Sequence, residues 1–269
     1  MNHGPLIFLG ALVTMAISWC GLIFTPQLQL GRMEQAPMKL LAPAYPAGRP
    51  GIAAQGREVY RALGCAECHT QQVRPSGDNT DLERGWGLRR TVARDFLTDS
   101  PVLVGRLRVG PDLANIAIRE PKQFAVPWQY KTQSNHVEEL ELWHYAHLYN
   151  PRAVSPGSIM PAYRYLFEER TPSPKRPPSL DALPPEITAR LTGVKNGAFE
   201  IVPRREARAL VAYLMSLRAD APLFEAPVQI TADAKVPNAA SATNAPAANA
   251  SGTNAPATNV PATPAPISK

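Results

Sequence analysis

Residues 65–69 read Cys-Ala-Glu-Cys-His, and this C-x-x-C-H stretch predicts both the fold and the chemistry of the chain. Two thiols three positions apart can each form a thioether bond to one vinyl group of the same porphyrin. The adjacent His69 is then held under the iron as its proximal axial ligand. The motif therefore predicts one covalently attached haem c, held by Cys65, Cys68 and His69.

Two other kinds of site use cysteine pairs with this spacing. A thioredoxin-like redox pair needs a βαβ context, and a structural zinc site needs two more Cys or His residues at short spacing. The chain offers neither, because the only other cysteine of its three is Cys20, inside an apolar run. The haem interpretation is therefore favoured.

Composition divides the 269 residues into four segments. Residues 6–25 are almost wholly apolar, about the length that crosses ~30 Å of hydrocarbon. The last segment consists almost entirely of Ala, Pro, Asn, Thr and Ser, which cannot bury enough apolar surface to become ordered. We predict a transmembrane anchor (1–26), a proline-rich stalk (27–50), a mono-haem cytochrome c domain (51–220) and a disordered tail (221–269).

The N-terminal run has two alternative interpretations. A cleaved signal peptide would carry positive residues before the run and an A-x-A site after it, and neither is present. A lipid anchor at Cys20 would need a small residue before it, where the chain has Trp19. A retained transmembrane helix is the preferred prediction.

Charge gives two further expectations. The net charge of +6 comes from scattered basic residues that alternate with Asp and Glu, so we expect a solvated surface and no nucleic-acid partner. Arg32, Lys39 and Arg49 after the apolar run weakly favour a cytoplasmic C-terminal domain. Covalent haem attachment takes place outside the bacterial cytoplasmic membrane, and this argument is the stronger. We expect a single-pass inner-membrane protein with its haem domain on the periplasmic side.

Two amphipathic helices are predicted in the folded segment. Residues 51–63 show helical spacing of apolar side chains directly before the motif, and a second such pattern follows Pro203 and ends at Leu217. Gly56 would allow the two helices to approach closely. The fold prediction is mainly α: one N-terminal transmembrane helix plus a class I cytochrome c-like helical domain with loop insertions and a disordered C-terminal tail.

The sequence also offers partners for His69 and the iron. A Gly-Pro-x-Leu turn is typical of class I cytochromes c, and the Pro111 carbonyl is predicted to accept the second ring N–H of His69. Met160, in a proline-bounded loop, is the preferred distal ligand because a soft sulfur stabilises ferrous iron. The alternatives are a histidine as distal ligand (His136, His144 or His147) and an open sixth site.

Several segments in order resemble one known family, the mono-haem cytochrome c subunit (subunit II) of cbb3-type haem–copper oxidases. The resemblance implies that Cys65 and Cys68 carry the thioethers and that His69 and Met160 are the axial ligands. The segments are residues 64–75, Gly85-Trp86-Gly87, Asp99-Ser100-Pro101, residues 108–113, residues 147–152 and residues 158–163.

The resemblance also implies a role and a set of partners. Electrons would pass from a soluble or membrane donor cytochrome through this haem to the catalytic haem–copper subunit, in a complex with a further cytochrome c subunit. The chain would be an electron-transfer subunit and not an enzyme by itself. Arg74, Tyr149 and Arg152 match motif positions near the haem or the subunit interface.

Two segments depart from the family pattern, residues 119–142 and 168–200, and both are expected to be surface loops. Two other functions stay open at this point. One is an anchored cytochrome that serves another respiratory complex or a dehydrogenase. The other is a haem sensor or peroxidase.

Overall fold

The computed structural model describes residues 3–38, 44–77, 80–119, 136–194 and 199–228. Most of the predicted tail, from residue 229 onward, lies outside the described residues. So do residues 120–135 of the first predicted insertion and residues 195–198 of the second.

The fold is mainly helical, as the sequence predicts, and the described residues also contain two small antiparallel pairs of strands. A π-helical turn, Cys20–Phe24, joins the first two helices. The helices are α1 (Gly4–Trp19), α2 (Thr25–Leu30), α3 (Gly51–Ala62), α4 (His136–Tyr149), α5 (Pro151–Val154), α6 (Pro185–Thr192) and α7 (Arg205–Leu214), and the strands are β1 (Ala36–Pro37), β2 (Ala44–Tyr45), β3 (Phe167–Arg170) and β4 (Glu200–Pro203).

The N-terminal helix is continuous from Gly4 to Leu30, 27 residues, and its apolar window is not buried within the protein. At 1.5 Å per residue it extends about 40 Å, enough by length and composition to cross a membrane. It continues beyond the boundary predicted at residue 26. A π-helical turn over Cys20–Phe24 precedes Pro26, and the helix continues past the proline to Leu30.

The predicted stalk is not an extended spacer where the structure describes it. β1 pairs antiparallel with β2, placing Ala36 opposite Tyr45. The Tyr45 hydroxyl donates a 2.8 Å hydrogen bond to Asp95 of the domain, and Pro46 is buried. Proline composition alone suggested an extended chain, but the residues between the prolines still pair and pack.

Helices α3 and α7 pack directly against each other beside the motif. Tyr60 of α3 meets Tyr213 of α7 edge to face, with ring centroids 5.3 Å apart. A Cβ atom at Gly56 would overlap the backbone carbonyl of Ala209, so only glycine allows this approach. The predicted close crossing of the two helices is confirmed.

Replacing Gly56 with alanine should destabilise the domain by about 1–3 kcal/mol or more, because the new methyl group meets rigid backbone. The matched control is Gly51→Ala in the same helix, where a Cβ atom meets nothing within 4 Å. Chemical denaturation of the two variants measures the difference. Equal free energies of unfolding would contradict the packing of α3 on α7.

The expectation of two surface loops is wrong for the described parts of both segments. In the second segment, β3 pairs with β4, and α6 buries Ile187 and Leu191 against the core. Because α6 is short and lies next to a proline-rich stretch, the sequence pattern indicated a loop there. In the first segment, Arg119 is buried and Leu140 is a fully buried residue of α4.

The packed part of the chain also continues past the predicted domain end at residue 220, because Leu223 and Ala226 are buried.

Candidate haem site

The C-x-x-C-H motif begins three residues after the end of α3, since Leu63 and Gly64 lie between them. Gly64 has φ +70°, a left-handed conformation that ends the helix. The chain then makes a 3₁₀ turn over Cys65–Glu67, in which the Cys68 and His69 amides both donate to the Cys65 carbonyl. The turn therefore gathers both thiols and the imidazole at one end of α3.

Cys65 and Cys68 are not joined by a disulfide bond. Cys65 is half-buried and Cys68 is exposed. Burial raises the pKa of the Cys65 thiol to about 11, so this group is protonated at neutral pH. Among the described residues, no group of three or more His, Cys, Asp or Glu side chains is placed to hold a metal ion. The zinc alternative therefore has no ligand set in that part of the chain.

A single hydrogen bond orients the His69 ring. Nδ1 of His69 lies 2.8 Å from the carbonyl oxygen of Pro111. A carbonyl only accepts, so Nδ1 carries the proton and Nε2 keeps its lone pair for an iron ion. Burial lowers the pKa of His69, which favours the neutral imidazole. The structure thus contains the hydrogen bond expected of the Gly-Pro turn, while the part of Pro111 in haem binding stays a prediction.

Two glycines let the Gly-Pro loop lie directly against His69. A Cβ atom at Gly110 would overlap the His69 ring, and one at Gly105 would overlap the His69 carbonyl. The Gly110 amide also donates a 2.9 Å hydrogen bond to the Cys68 carbonyl. The loop therefore packs against both the ring and the backbone of His69 and fixes the orientation of the imidazole. The residues present fit a haem whose iron is bound at Nε2 of His69.

Asp112 supports the same arrangement and was missed by the sequence reasoning. Its fully buried carboxylate accepts hydrogen bonds from Thr70 Oγ1 at 2.6 Å and from the Gln72 amide at 2.7 Å. It also caps the Ala114 amide at 2.9 Å. The carboxylate therefore fixes the segment that follows His69. The sequence feature that could have revealed this role is the Asp at the x position of the Gly-Pro-x-Leu turn.

Met160 lies half-buried at the edge of the hydrophobic core, as Cys65 does. Its amide is 3.3 Å from Ser158 Oγ. The loop is joined to the end of α4 by a 2.8 Å hydrogen bond from the Tyr163 amide to the Leu148 carbonyl. The assignment of Met160 as the distal ligand stays a prediction.

Two histidines of α4 carry the bis-histidine alternative. The His147 ring stacks on Trp143 with centroids 4.6 Å apart, and it lies close enough to His69 for the two rings to interact electrostatically. His144 is 3% exposed. Burial lowers the pKa of His147 to about 4 and that of His144 to about 3, so both are neutral at pH 7. The side chain of His136 lies outside the described residues.

The three residues implied by motif position alone have structural partners. Tyr149 is buried, donates to Glu169 Oε1 at 2.5 Å and packs edge to face on Phe167. Arg152 donates from Nε to the Ser158 carbonyl at 3.2 Å, two residues before Met160. Arg74 is half-exposed and paired with Asp81. Their assignment to the haem or to an interface stays a prediction.

Asp81 explains why Arg74 and Arg108 are positioned together. Burial acts to raise its pKa, but hydrogen bonds from Arg74 and Arg108 outweigh burial and hold the pKa at about 2.

A carboxylate whose pKa is lower in the folded state than in the unfolded state stabilises the fold above its unfolded pKa. The stabilisation is lost as the pH falls through the folded pKa. We expect the stability advantage of the wild type over Asp81→Asn to disappear between about pH 4 and pH 2. Urea denaturation across that range measures it, and a constant difference would contradict the ion pairs.

Comparison with known proteins agrees with this geometry. The family model described as cytochrome c oxidase, mono-haem subunit (FixO), matches residues 4–141 and 135–185. No curated protein matches the chain. The matched residues include the N-terminal helix, the C-x-x-C-H motif, the Gly-Pro turn and the Met160 loop, and they confirm the resemblance noted in the sequence. The chain belongs to the family of mono-haem subunits of cytochrome c oxidase.

Proposed function

We propose that this chain is the electron-relay subunit of a cbb3-type terminal oxidase. It would take electrons from a donor cytochrome and pass them to the catalytic haem–copper subunit, beside a further cytochrome c subunit. The observation that carries the proposal is the His69 ring, which Pro111 orients and which follows two cysteines that form no disulfide bond, in a chain of the mono-haem oxidase subunit family.

The chain supplies all the groups that such a haem c requires. Cys65 and Cys68 would form the two thioethers, and His69 Nε2 and Met160 would be the axial ligands. A haem with these ligands exchanges one electron and needs no substrate site of its own. The protein's own work is therefore to hold the two ligands, to limit the access of water and to leave one edge available to partners.

The residues around the proposed haem have different roles: some position His69, and others determine how far the haem would be exposed. Pro111 fixes the ring orientation and protonation of His69, and the buried Asp112 fixes the backbone behind it. Cys65 is half-buried against the core, whereas Cys68 is exposed. The Cys68 side would be the edge at which electrons enter or leave, because transfer between proteins needs a cofactor edge near the surface.

The N-terminal helix would hold this domain at the membrane. Its 27 residues suit a single crossing. Since thioether attachment takes place outside the bacterial cytoplasmic membrane, the haem domain would lie on the periplasmic side. That side is also where a soluble or membrane-bound donor cytochrome would reach it.

Purification from native membranes tests the proposal. A tag placed after residue 269 allows mild solubilisation and isolation of whatever is bound. We expect a haem–copper subunit to copurify and the complex to reduce oxygen while it oxidises a reduced cytochrome. Isolation of the chain alone, or together with a dehydrogenase, would overturn the oxidase assignment and leave the haem assignment intact.

A further inference from the structure

Two large apolar side chains outside the N-terminal helix are completely exposed among the described residues, Leu180 and Phe224. Phe224 lies at the tip of a tight turn (residues 221–226, the Phe224 turn) in which Leu223 pairs with Ala226. Both of these neighbours are buried, so the turn is fixed to the core and presents Phe224 outward. A single exposed apolar residue is common on protein surfaces, so the surroundings of Phe224 decide what it can contact.

The Phe224 turn is connected to the segment that follows the N-terminal helix. The carboxylate of Glu225, the residue next to Phe224, pairs with Arg94. The same guanidinium donates a hydrogen bond to the backbone carbonyl of Glu34. Arg90 Nη2 donates a 2.6 Å hydrogen bond to the Glu225 carbonyl. One guanidinium group therefore bridges the turn and Glu34.

Glu34 lies close to the end of the membrane helix. The helix ends at Leu30, and the Met33 amide donates a 3.0 Å hydrogen bond to the Leu30 carbonyl, so the chain turns there instead of extending away. Four residues reach at most about 14 Å. A helix about 40 Å long, centred on ~30 Å of hydrocarbon, extends about 5 Å beyond each edge and ends among the lipid headgroups. The Phe224 turn is therefore held within reach of the membrane surface.

Buried contacts prevent the Phe224 turn from separating from the stalk. The buried Arg89 pairs with Asp95 at 2.7 Å, and its Nε donates a 2.6 Å hydrogen bond to the carbonyl of Ala221, the first residue of the turn. Tyr45 of β2 donates to the same Asp95. Movement of the turn away from the stalk would break this buried network.

We propose that the Phe224 turn contacts the lipid headgroup layer of the membrane that the N-terminal helix crosses. Phenylalanine side chains that enter the boundary between headgroups and acyl chains, beside arginines that face the headgroups, are typical of protein segments that lie on a membrane surface. The contact would hold the domain at a fixed height above the bilayer. The inference requires only that the helix crosses a membrane, and it depends neither on the haem nor on the oxidase.

The charges around the turn fit this partner. Arg32, two residues after the helix, and Arg90 are both exposed, and their guanidinium groups would pair with lipid phosphates. Two carboxylates lie on the same side of the domain, those of Glu34 and Glu225. The Glu225 carboxylate is already paired with Arg94, so it repels phosphate less than a free carboxylate would.

Photocrosslinking in native membranes tests the contact. The amino acid p-benzoylphenylalanine, which forms a covalent bond to nearby C–H groups on illumination, replaces Phe224 in one full-length variant and Leu180 in another. Leu180 is the matched control because it is equally exposed, whereas its neighbour Asp181 pairs with Arg208 of α7. We expect phospholipid adducts, identified by mass spectrometry, at position 224 and few at position 180. Adducts of position 224 with another protein subunit, or equal lipid adducts at both positions, would overturn the proposal.

A second experiment separates the role of the phenylalanine side chain from its position. The crosslinking residue now replaces Pro222, which is exposed in the same turn, and residue 224 is varied. Phe224→Asp should lower the yield of lipid adducts by about tenfold, because burial of one phenylalanine is worth at least that factor in an equilibrium constant. Phe224→Leu keeps an apolar side chain and should lower the yield less. Equal yields in all three chains would contradict a membrane contact made by Phe224.

The two proposals can fail separately. If a haem–copper subunit copurifies but position 224 forms no lipid adducts, only the membrane contact fails. If lipid adducts form at position 224 and the tagged chain is isolated without a haem–copper subunit, the oxidase role fails and the membrane contact stands.

Discussion

Replacing Cys65 and Cys68 together with serine should abolish covalent haem attachment completely. Both thioethers are lost, and a hydroxyl group cannot replace a thiol in addition to a vinyl group. The measurement is peroxidase staining for haem after denaturing electrophoresis of membranes. The wild-type chain should retain its stain, and the double variant should show none.

Cys20→Ser is the matched control for this experiment. Cys20 lies in the exposed N-terminal helix, outside the motif, so its replacement should leave the stain unchanged. A double variant that still carried haem would contradict the attachment site. A loss of stain in Cys20→Ser would show that the assay responds to membrane insertion and not to the motif.

Replacing Met160 with leucine should lower the equilibrium constant for haem reduction on the order of a hundredfold or more, because the sulfur ligand favours ferrous iron. The open coordination position should also make the reduced haem bind carbon monoxide, which a methionine-ligated haem resists. Redox titration and carbon monoxide difference spectra measure the two effects.

Met215→Leu provides the comparison, because Met215 is also a half-buried methionine packed against the core but lies at the end of α7. It should change neither the reduction constant nor carbon monoxide binding. An unchanged spectrum in Met160→Leu would contradict its assignment as a ligand. In that case His147, stacked on Trp143 and near His69, becomes the candidate for replacement.

Sequence reasoning predicted the parts of the molecule that depend on local pattern. The helix before the motif and the close approach at Gly56 follow from apolar spacing and from one small residue, and the structure contains both. The hydrogen bond from His69 to Pro111 follows from a short turn with fixed geometry. Such features need few long-range contacts, so the sequence reveals them.

The features that were wrong or missed depend on partners distant in the chain. α6 buries Ile187 and Leu191, but its eight residues lie among prolines, and composition suggested a loop. Tyr45 was placed in a free stalk, although it binds Asp95, fifty residues away. Arg119 was assigned to an insertion that was expected to be a surface loop, although its side chain is buried.

We propose that this chain relays electrons to a neighbouring subunit in which oxygen is reduced. The most direct test is to mix the purified, fully reduced complex with oxygen and to follow the haem of this chain by rapid absorbance. Subtraction of the same complex carrying Cys65→Ser and Cys68→Ser identifies its band. We expect this haem to be oxidised within one turnover and to be reduced again when a reduced donor cytochrome is added. A haem that stays reduced while the complex consumes oxygen would contradict it.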